Sequence, residues 1–210
     1  MSARQTIQEI LGLDERISEL RDTFEQYPRE DQEQVLIASY KAMHDKLGEN
    51  DPLPFGLVRI TEMLINYDSP AVSKLLGAGL GHPNPDVRLL SGDAILHMTE
   101  EGLERIMPAV EDVLSEGGLG AEEMPFLLTD VEDPQVPRVL ERFLAQESAD
   151  VVASAIEAIA EYGDPSSVVA LKGLTDDSRL VSIDDSSDAS EWTVGRLAEE
   201  AIDMISQDGN

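Results

Sequence analysis

The chain has 210 residues, no cysteine, and 43 acidic against 15 basic side chains, which give a formal net charge of −28 at pH 7. The lack of cysteine excludes disulfides and thiolate chemistry, and so negative a chain repels nucleic acid and anionic membranes while attracting basic partners. Since no stretch approaches the roughly 18 apolar residues of a membrane span and no signal segment opens the chain, we expect a cytoplasmic protein that binds neither membrane nor nucleic acid.

The first predicted domain, residues 1–50, is helical but lacks the repeat found in the rest of the chain. Apolar residues three and four positions apart predict one or two short helices broken around Gly12, and then a second amphipathic helix over residues 29–47. Because an array of helical repeats needs a cover with one polar face at its ends, we interpret this domain as an N-terminal helical cap. A hairpin for dimerisation or for docking of a partner is the alternative.

The second predicted domain, residues 51–210, begins within the Gly- and Pro-containing segment GENDPLP (residues 48–54) and repeats a helical pattern. Asp86-Val87 is followed by Ala94-Ile95 at the same distance at which Asp150-Val151 is followed by Ala158-Ile159. Corners that contain Asp and Pro separate the two helices of a unit. A helix-turn-helix pattern with a period of about 32 residues is typical of α-solenoids. We therefore predict an all-α solenoid of about five helical hairpins.

The predicted units share this two-helix pattern and run in chain order as 55–66 with 70–80, 85–98 with 101–114, 121–129 with 135–144, the two helices of 150–174, and a last unit split by the polar loop 182–191. Gly117–Gly120 is predicted to be a flexible turn before the third unit. Pro125 falls inside the first helix of that unit, where it either marks the first turn or bends the helix.

Two stretches, PNPDVRLLSGDAIL and EYGDPSSVVALKGLTDD, resemble HEAT repeats of the short type found in phycocyanobilin-lyase-like proteins. In that family an Asp-Val-Arg in the first helix precedes a Gly-Asp-Pro corner, and Asp86-Val87-Arg88 and Gly163-Asp164-Pro165 match these motifs. The resemblance covers about residues 52–205 and implies the fold, with little about activity. The arginine is replaced by Val152 and Gly195 in the sister copies, which departs from the family pattern.

The sequence has no recognisable motif for catalysis, cofactors or metal ions. His44, His82 and His97 are far apart and lack a metal-ligand spacing such as HExxH, so we expect each to be structural. The aspartates of residues 176–188 lack the alternating spacing of a calcium loop, and the serines of residues 186–190 have no glycine elbow or paired histidine. We expect a protein without enzymatic activity, cofactor or metal.

The few basic side chains of the second domain form the candidate partner-binding site. Five of its nine cations fall in the predicted second helices: Lys74, Arg105, Arg138, Arg142 and Lys172. Since second helices line the concave side in HEAT-type solenoids, these residues would stack into a basic stripe suited to an extended acidic segment of a partner. The alternative is that each cation pairs with nearby glutamates, for a few tenths of a kcal/mol each.

The predicted function is binding of another protein, as a scaffold or adaptor without catalysis. The partner is expected either to be basic, which suits the net charge, or to carry an extended acidic segment, which suits the stripe. One alternative is an acidic inhibitor or immunity-type protein that covers a basic partner such as a nuclease. A second is a chromophore-lyase-like subunit, which only the family resemblance suggests. A solvated acidic surface without a specific role also explains the charge.

Overall fold

The computed structural model describes residues 2–182 and 192–208, and the regular elements in these ranges are helices. The α-helices are α1 (Ala3–Phe24), α2 (Arg29–His44), α3 (Phe55–Leu64), α4 (Pro70–Leu80), α5 (Pro85–Thr99), α6 (Met107–Glu116), α7 (Gly118–Thr129), α8 (Val136–Phe143), α9 (Ala149–Tyr162), α10 (Val168–Lys172) and α11 (Val194–Asp208). Short 3-10 turns, Leu103–Arg105 and Pro165–Ser167, precede α6 and α10. The predicted all-α class is confirmed. In the described ranges, no helix is both long and apolar enough to cross a bilayer.

The helices pack mainly on their neighbours in the chain. Adjacent helices pair as α2 with α3, α4 with α5, α6 with α7, α8 with α9 and α10 with α11. Next-but-one helices meet where α3 contacts α5, α4 contacts α6, α7 contacts α9 and α9 contacts α11. The buried apolar side chains form one cluster that runs from Leu36 on α2 to Ile205 on α11. The core therefore grows by addition of successive helices along the chain.

The starts and ends of the helices follow local capping chemistry. Ser69 precedes α4, where its hydroxyl accepts hydrogen bonds from two amides of the first turn, and Pro70 takes the first helical position. Gly163 ends α9 in the left-handed conformation, with φ of +74°. Asp164 then accepts a hydrogen bond from the amide of Ser166 at 2.8 Å. The predicted corner between α9 and α10 is thus explained by the residues that form it.

Two glycines of α4 allow neighbouring helices to approach closely. A Cβ atom on Gly77 would lie 2.9 Å from the Cβ of Ala109 in α6. A Cβ atom on Gly79 would lie 2.0 Å from Ser91 Oγ in α5, and the buried Tyr40 hydroxyl of α2 lies 3.4 Å from that same oxygen. Because glycine has no side chain, α4 can hold both α5 and α6 at this short spacing.

Hydrogen bonds between side chains and carbonyl groups join helices whose residues lie 32 to 40 positions apart in the sequence. Arg105 donates to the carbonyl of Ile65, 40 residues earlier, at 3.1 Å. Gln146 donates to the carbonyl of Leu114, 32 residues earlier, at 3.0 Å, and Arg179 donates to the carbonyl of Gln146, 33 residues earlier, at 2.9 Å. These carbonyls lie in the last turn of a helix or just beyond it, where the backbone lacks intrahelical partners.

Two local predictions are wrong. α1 runs unbroken through Gly12, because a single exposed glycine costs a helix only about 1 kcal/mol relative to alanine. The predicted flexible turn at Gly117–Gly120 instead contains the start of α7 at Gly118, since positive φ angles of +70° and +66° at Gly117 and Gly118 redirect the chain within two residues. Pro125 lies inside α7, beyond its first turn.

The predicted boundary segment, residues 48–54, is not helical, but it is hydrogen-bonded to the residue that caps α5. The Asn84 side-chain amide donates to the carbonyls of Gly48 at 2.9 Å and Asp51 at 2.8 Å. α2 contributes to the common core, whereas α1 has no extensive interface with any other described helix. The predicted polar loop lies outside the described residues except for Ser182.

Candidate interaction surfaces

Two of the five predicted site cations meet carboxylates of α6. Lys74 Nζ, from α4, lies 2.6 Å from Asp112 Oδ1. Arg142, from α8, donates two hydrogen bonds to the Glu111 carboxylate, at 2.8 and 2.7 Å. These bonds lower the pKa of Glu111 and raise the pKa of Arg142 from their usual values. We call these four side chains the paired surface, since each charge there has an opposite charge from another helix.

Arg105 is held inside the fold. It lies in the 3-10 turn before α6, and its side chain is only 9 % exposed. The guanidinium lies 2.7 Å from Glu101, four residues earlier, and 3.5 Å from Asp68, and it also donates to the carbonyl of Ile65. These contacts tie the turn after α5 to the end of α3. Arg105 therefore stabilises packing between successive helices.

The remaining two predicted cations, Arg138 on α8 and Lys172 on α10, are exposed. Neither forms an ion pair with another residue in the described part of the chain. The structure thus pairs Lys74 and Arg142 with carboxylates of α6 and encloses the Arg105 side chain. Arg138 and Lys172 lie at the surface. Partner binding by a basic stripe of these residues stays a prediction.

A groove of about 930 Å³ lies between the turn after α5 and the turn after α7. We call it the acidic groove, because six carboxylates line it: Asp93, Glu100, Glu101, Asp130, Glu132 and Asp133. Among its described lining residues, His97 is the one basic side chain. Of its apolar lining residues, Leu96 is partly exposed between the charges, whereas Leu103 and Val131 are buried. The acidic groove therefore combines a strong negative field with an apolar floor.

The two sides of the acidic groove are built alike. α5 ends at Thr99 and α7 ends at Thr129, and each threonine hydroxyl donates at 2.7 Å to the carbonyl three residues earlier. Glu100 and Asp130 follow as the C-cap residues. A helix C-terminus already carries partial negative charge from its free carbonyls, and an acidic residue there is unfavourable. Both helix ends would be stabilised by a cation bound between them.

Half of the groove carboxylates have polar partners within the protein. Glu101 pairs with Arg105, and Glu100 Oε1 lies 3.3 Å from His97 Nδ1. Asp133 accepts a hydrogen bond from a backbone amide at 2.8 Å. The other three make no ion pair within the described ranges: Asp93, Asp130 and Glu132. These three are the carboxylates open to a ligand.

The negative field of the acidic groove extends to α9. The Tyr162 hydroxyl donates to the carbonyl of Asp133 at 3.1 Å. Burial raises the pKa of Tyr162, and the nearby charges of Asp133, Asp164 and Glu132 raise it further. The phenolate form of Tyr162 is thus disfavoured by carboxylates that follow α7 and by one that follows α9.

Two of the three histidines meet away from the acidic groove. The rings of His44 and His82 lie 4.4 Å apart, edge to face, and His82 Nδ1 accepts the amide hydrogen of Asn84 at 3.0 Å. Burial lowers the pKa of His82, and charge repulsion from the His44 ring lowers it further, against the smaller opposing effect of backbone hydrogen bonds. This contact ties α2 to the turn before α5. Across the described residues, no group of three His, Asp or Glu side chains is arranged to hold a metal ion.

Comparisons of the chain with protein-family models, with curated proteins and with solved structures find no match. Sequence reasoning centred on the cations and missed the acidic groove. A local signal was nevertheless present, because Thr99-Glu100 and Thr129-Asp130 recur 30 residues apart at the ends of equivalent helices.

Proposed function

We propose that the protein is a non-catalytic scaffold or adaptor whose acidic groove binds a lysine- or arginine-rich segment of another protein. The observation that carries this proposal is the set of six carboxylates, accompanied by one histidine and by no lysine or arginine among the described lining residues. Inserted basic side chains would form charge-assisted hydrogen bonds there. They would also offset the unfavourable acidic ends of α5 and α7.

The apolar floor of the acidic groove suits long basic side chains. Lysine and arginine carry apolar stems that pack on hydrophobic surface while their charged ends reach polar groups. Leu96 is the partly exposed apolar residue of the floor, and Leu103 and Val131 lie buried beneath the rims. A segment with several basic residues could therefore use both the stems and the charges.

The paired surface argues for a basic rather than an acidic partner. Lys74 and Arg142 already have carboxylate partners on α6, and Arg105 is enclosed by its own partners. An acidic segment would have to displace Asp112 and Glu111 to reach the first two. A basic segment finds three carboxylates of the acidic groove that have neither an ion-pair nor a hydrogen-bond partner in the described ranges.

We also propose that the helices form a HEAT-like solenoid with α1 and α2 at its N-terminal end. Interfaces between near neighbours in the chain, one continuous core and hydrogen bonds spaced about one repeat apart support this arrangement. In such an array the acidic groove lies between equivalent corners of adjacent units. An elongated particle in small-angle X-ray scattering is expected, and a spherical one would contradict the arrangement.

The test of the binding proposal is a charge-reversal pair with matched net charge. Asp130→Lys with Glu132→Lys changes the acidic groove, and Glu199→Lys with Asp203→Lys makes the same change at exposed positions of α11. Fluorescence anisotropy with a labelled arginine-rich peptide should show binding weakened about 10-fold or more by the groove pair. The α11 pair should change it less than about twofold. Equal losses for both pairs would show attraction by net charge alone.

The acidic groove also supports the inhibitor function, because basic active sites of nucleases attract a concentrated negative surface. An inhibitor must block turnover by its partner, whereas an adaptor leaves turnover unchanged. Once a basic partner is found, a turnover assay with and without the protein separates the two functions. Loss of inhibition in the groove pair, but not in the α11 pair, would assign the inhibitor role.

A further inference from the structure

α1 carries an apolar stripe that no other helix of the described chain covers. Leu13, Ile17 and Leu20 are 63 %, 51 % and 51 % exposed, and Ile7 and Leu11 beside them are more than half exposed. Helix α1 is 22 residues long yet has no extensive interface with the rest of the described chain. Exposed apolar surface of this extent on a charged protein indicates an interaction site.

The spacing of the stripe identifies the kind of partner. Leu13, Ile17 and Leu20 follow one another at intervals of four and three residues, and the sequence continues the series back to Ile10 and forward to Phe24, which packs against the common core. This is the 3.5-residue period of a coiled-coil seam. A β-branched residue at one seam position with leucine at the other is the combination of two-stranded coils. The partner is therefore expected to be a single helix with a matching stripe.

We propose that α1 pairs with α1 of a second copy of this chain. A second copy supplies a helix with the same heptad stripe. The charge distribution also favours a second copy as the partner of α1. Helix α1 has five acidic and three basic residues, net −2, while the other residues carry net −26. α1 is thus the segment where two copies can meet with little repulsion. This inference is independent of the acidic groove.

The expected dimer is reversible and responds to salt in a characteristic way. The seam from Ile10 to Phe24 covers about 22 Å of helix, and pairing of two such stripes buries on the order of 1,000 Å² or less, in the range of weak, transient interfaces. Two chains of net charge −28 repel each other, and salt screens that repulsion without weakening apolar contacts. Added salt should therefore strengthen the dimer, whereas it should weaken binding of a basic segment to the acidic groove.

Sedimentation velocity on the full chain tests the proposal. The wild type should sediment as a dimer of the 22.9 kDa chain at high protein concentration, with a larger dimer fraction at high salt. Ile17→Glu places two carboxylates in the apolar seam and should raise the dissociation constant about 100-fold or more. Gln8→Glu adds the same charge at an exposed position outside the seam of the same helix, and it should leave the dimer fraction unchanged.

Circular dichroism keeps the result interpretable, because both variants should retain the helical signal of the wild type. A wild type that is monomeric at every salt and protein concentration would overturn the proposal. So would an Ile17→Glu variant that is folded and as dimeric as the wild type. A dimer that dissociates as salt rises would also contradict it, since that response indicates an electrostatic interface.

Discussion

The acidic groove and the paired surface are built from neighbouring helices of one acidic chain, yet their carboxylates have different partners. On the paired surface, α6 carboxylates meet cations from α4 and α8, so Glu111 and Asp112 are neutralised within the protein. In the acidic groove, Asp93 within α5 and Asp130 and Glu132 after α7 have neither an ion-pair nor a hydrogen-bond partner in the described ranges. The location of unpaired charge, rather than the net charge, distinguishes a candidate site from a solvated face.

The largest expected effect comes from α4, which holds α5, with its groove residues, against α6, with its paired carboxylates. Gly77→Ala would place a methyl group 2.9 Å from the Cβ and 3.1 Å from the Cα of Ala109. Because backbone atoms cannot rotate away, we expect a loss of about 1–3 kcal/mol in the free energy of unfolding. Denaturant titration measures it.

Gly12→Ala is the matched control for that substitution. The new methyl group would meet no atom within 4 Å, and alanine favours helix more than glycine does. The control should not lower stability. If Gly77→Ala is also neutral, then the close approach of α4 to α6 does not determine the spacing of the two surfaces.

A smaller effect is expected from breaking the paired surface alone. Arg142→Met removes both hydrogen bonds to Glu111 while keeping a long side chain. Because the pair is about half exposed, the free energy of unfolding should fall by no more than about 1 kcal/mol. Affinity for an arginine-rich peptide should stay within about twofold. A large loss of affinity would mean that the basic side chains bind the partner after all.

The smallest effect is a pH dependence that belongs to the paired surface. Arg142 holds the pKa of Glu111 below its usual 4.5. The resulting stabilisation is present above pH 4.5 and is lost as the pH falls through the folded pKa, because protonated Glu111 no longer binds the guanidinium as an anion. The stability difference between wild type and Arg142→Met should therefore shrink below pH 4.5. A difference that stays constant to pH 3 would contradict this origin.

The sequence was informative where structure depends on adjacent residues. The corner at Gly163–Asp164 and the ends of most helices could be predicted, since caps and prolines act locally. The partner of Arg142 could not be predicted, because Glu111 lies 31 residues away and is selected by the packing of α8 beside α6. The acidic groove was hidden for the same reason, since its carboxylates are a few among 43 and meet only when α5 and α7 are placed.

The central claim is that a basic segment binds the acidic groove in preference to every other acidic surface. Backbone amide chemical shifts of the labelled protein, followed during titration with an arginine-rich peptide, test it most directly. We predict that the largest shifts occur at residues 99–102 and 130–133, with small changes on α4, α6 and α8. Shifts spread evenly over the acidic surface, or centred on Lys74 and Arg142, would contradict it.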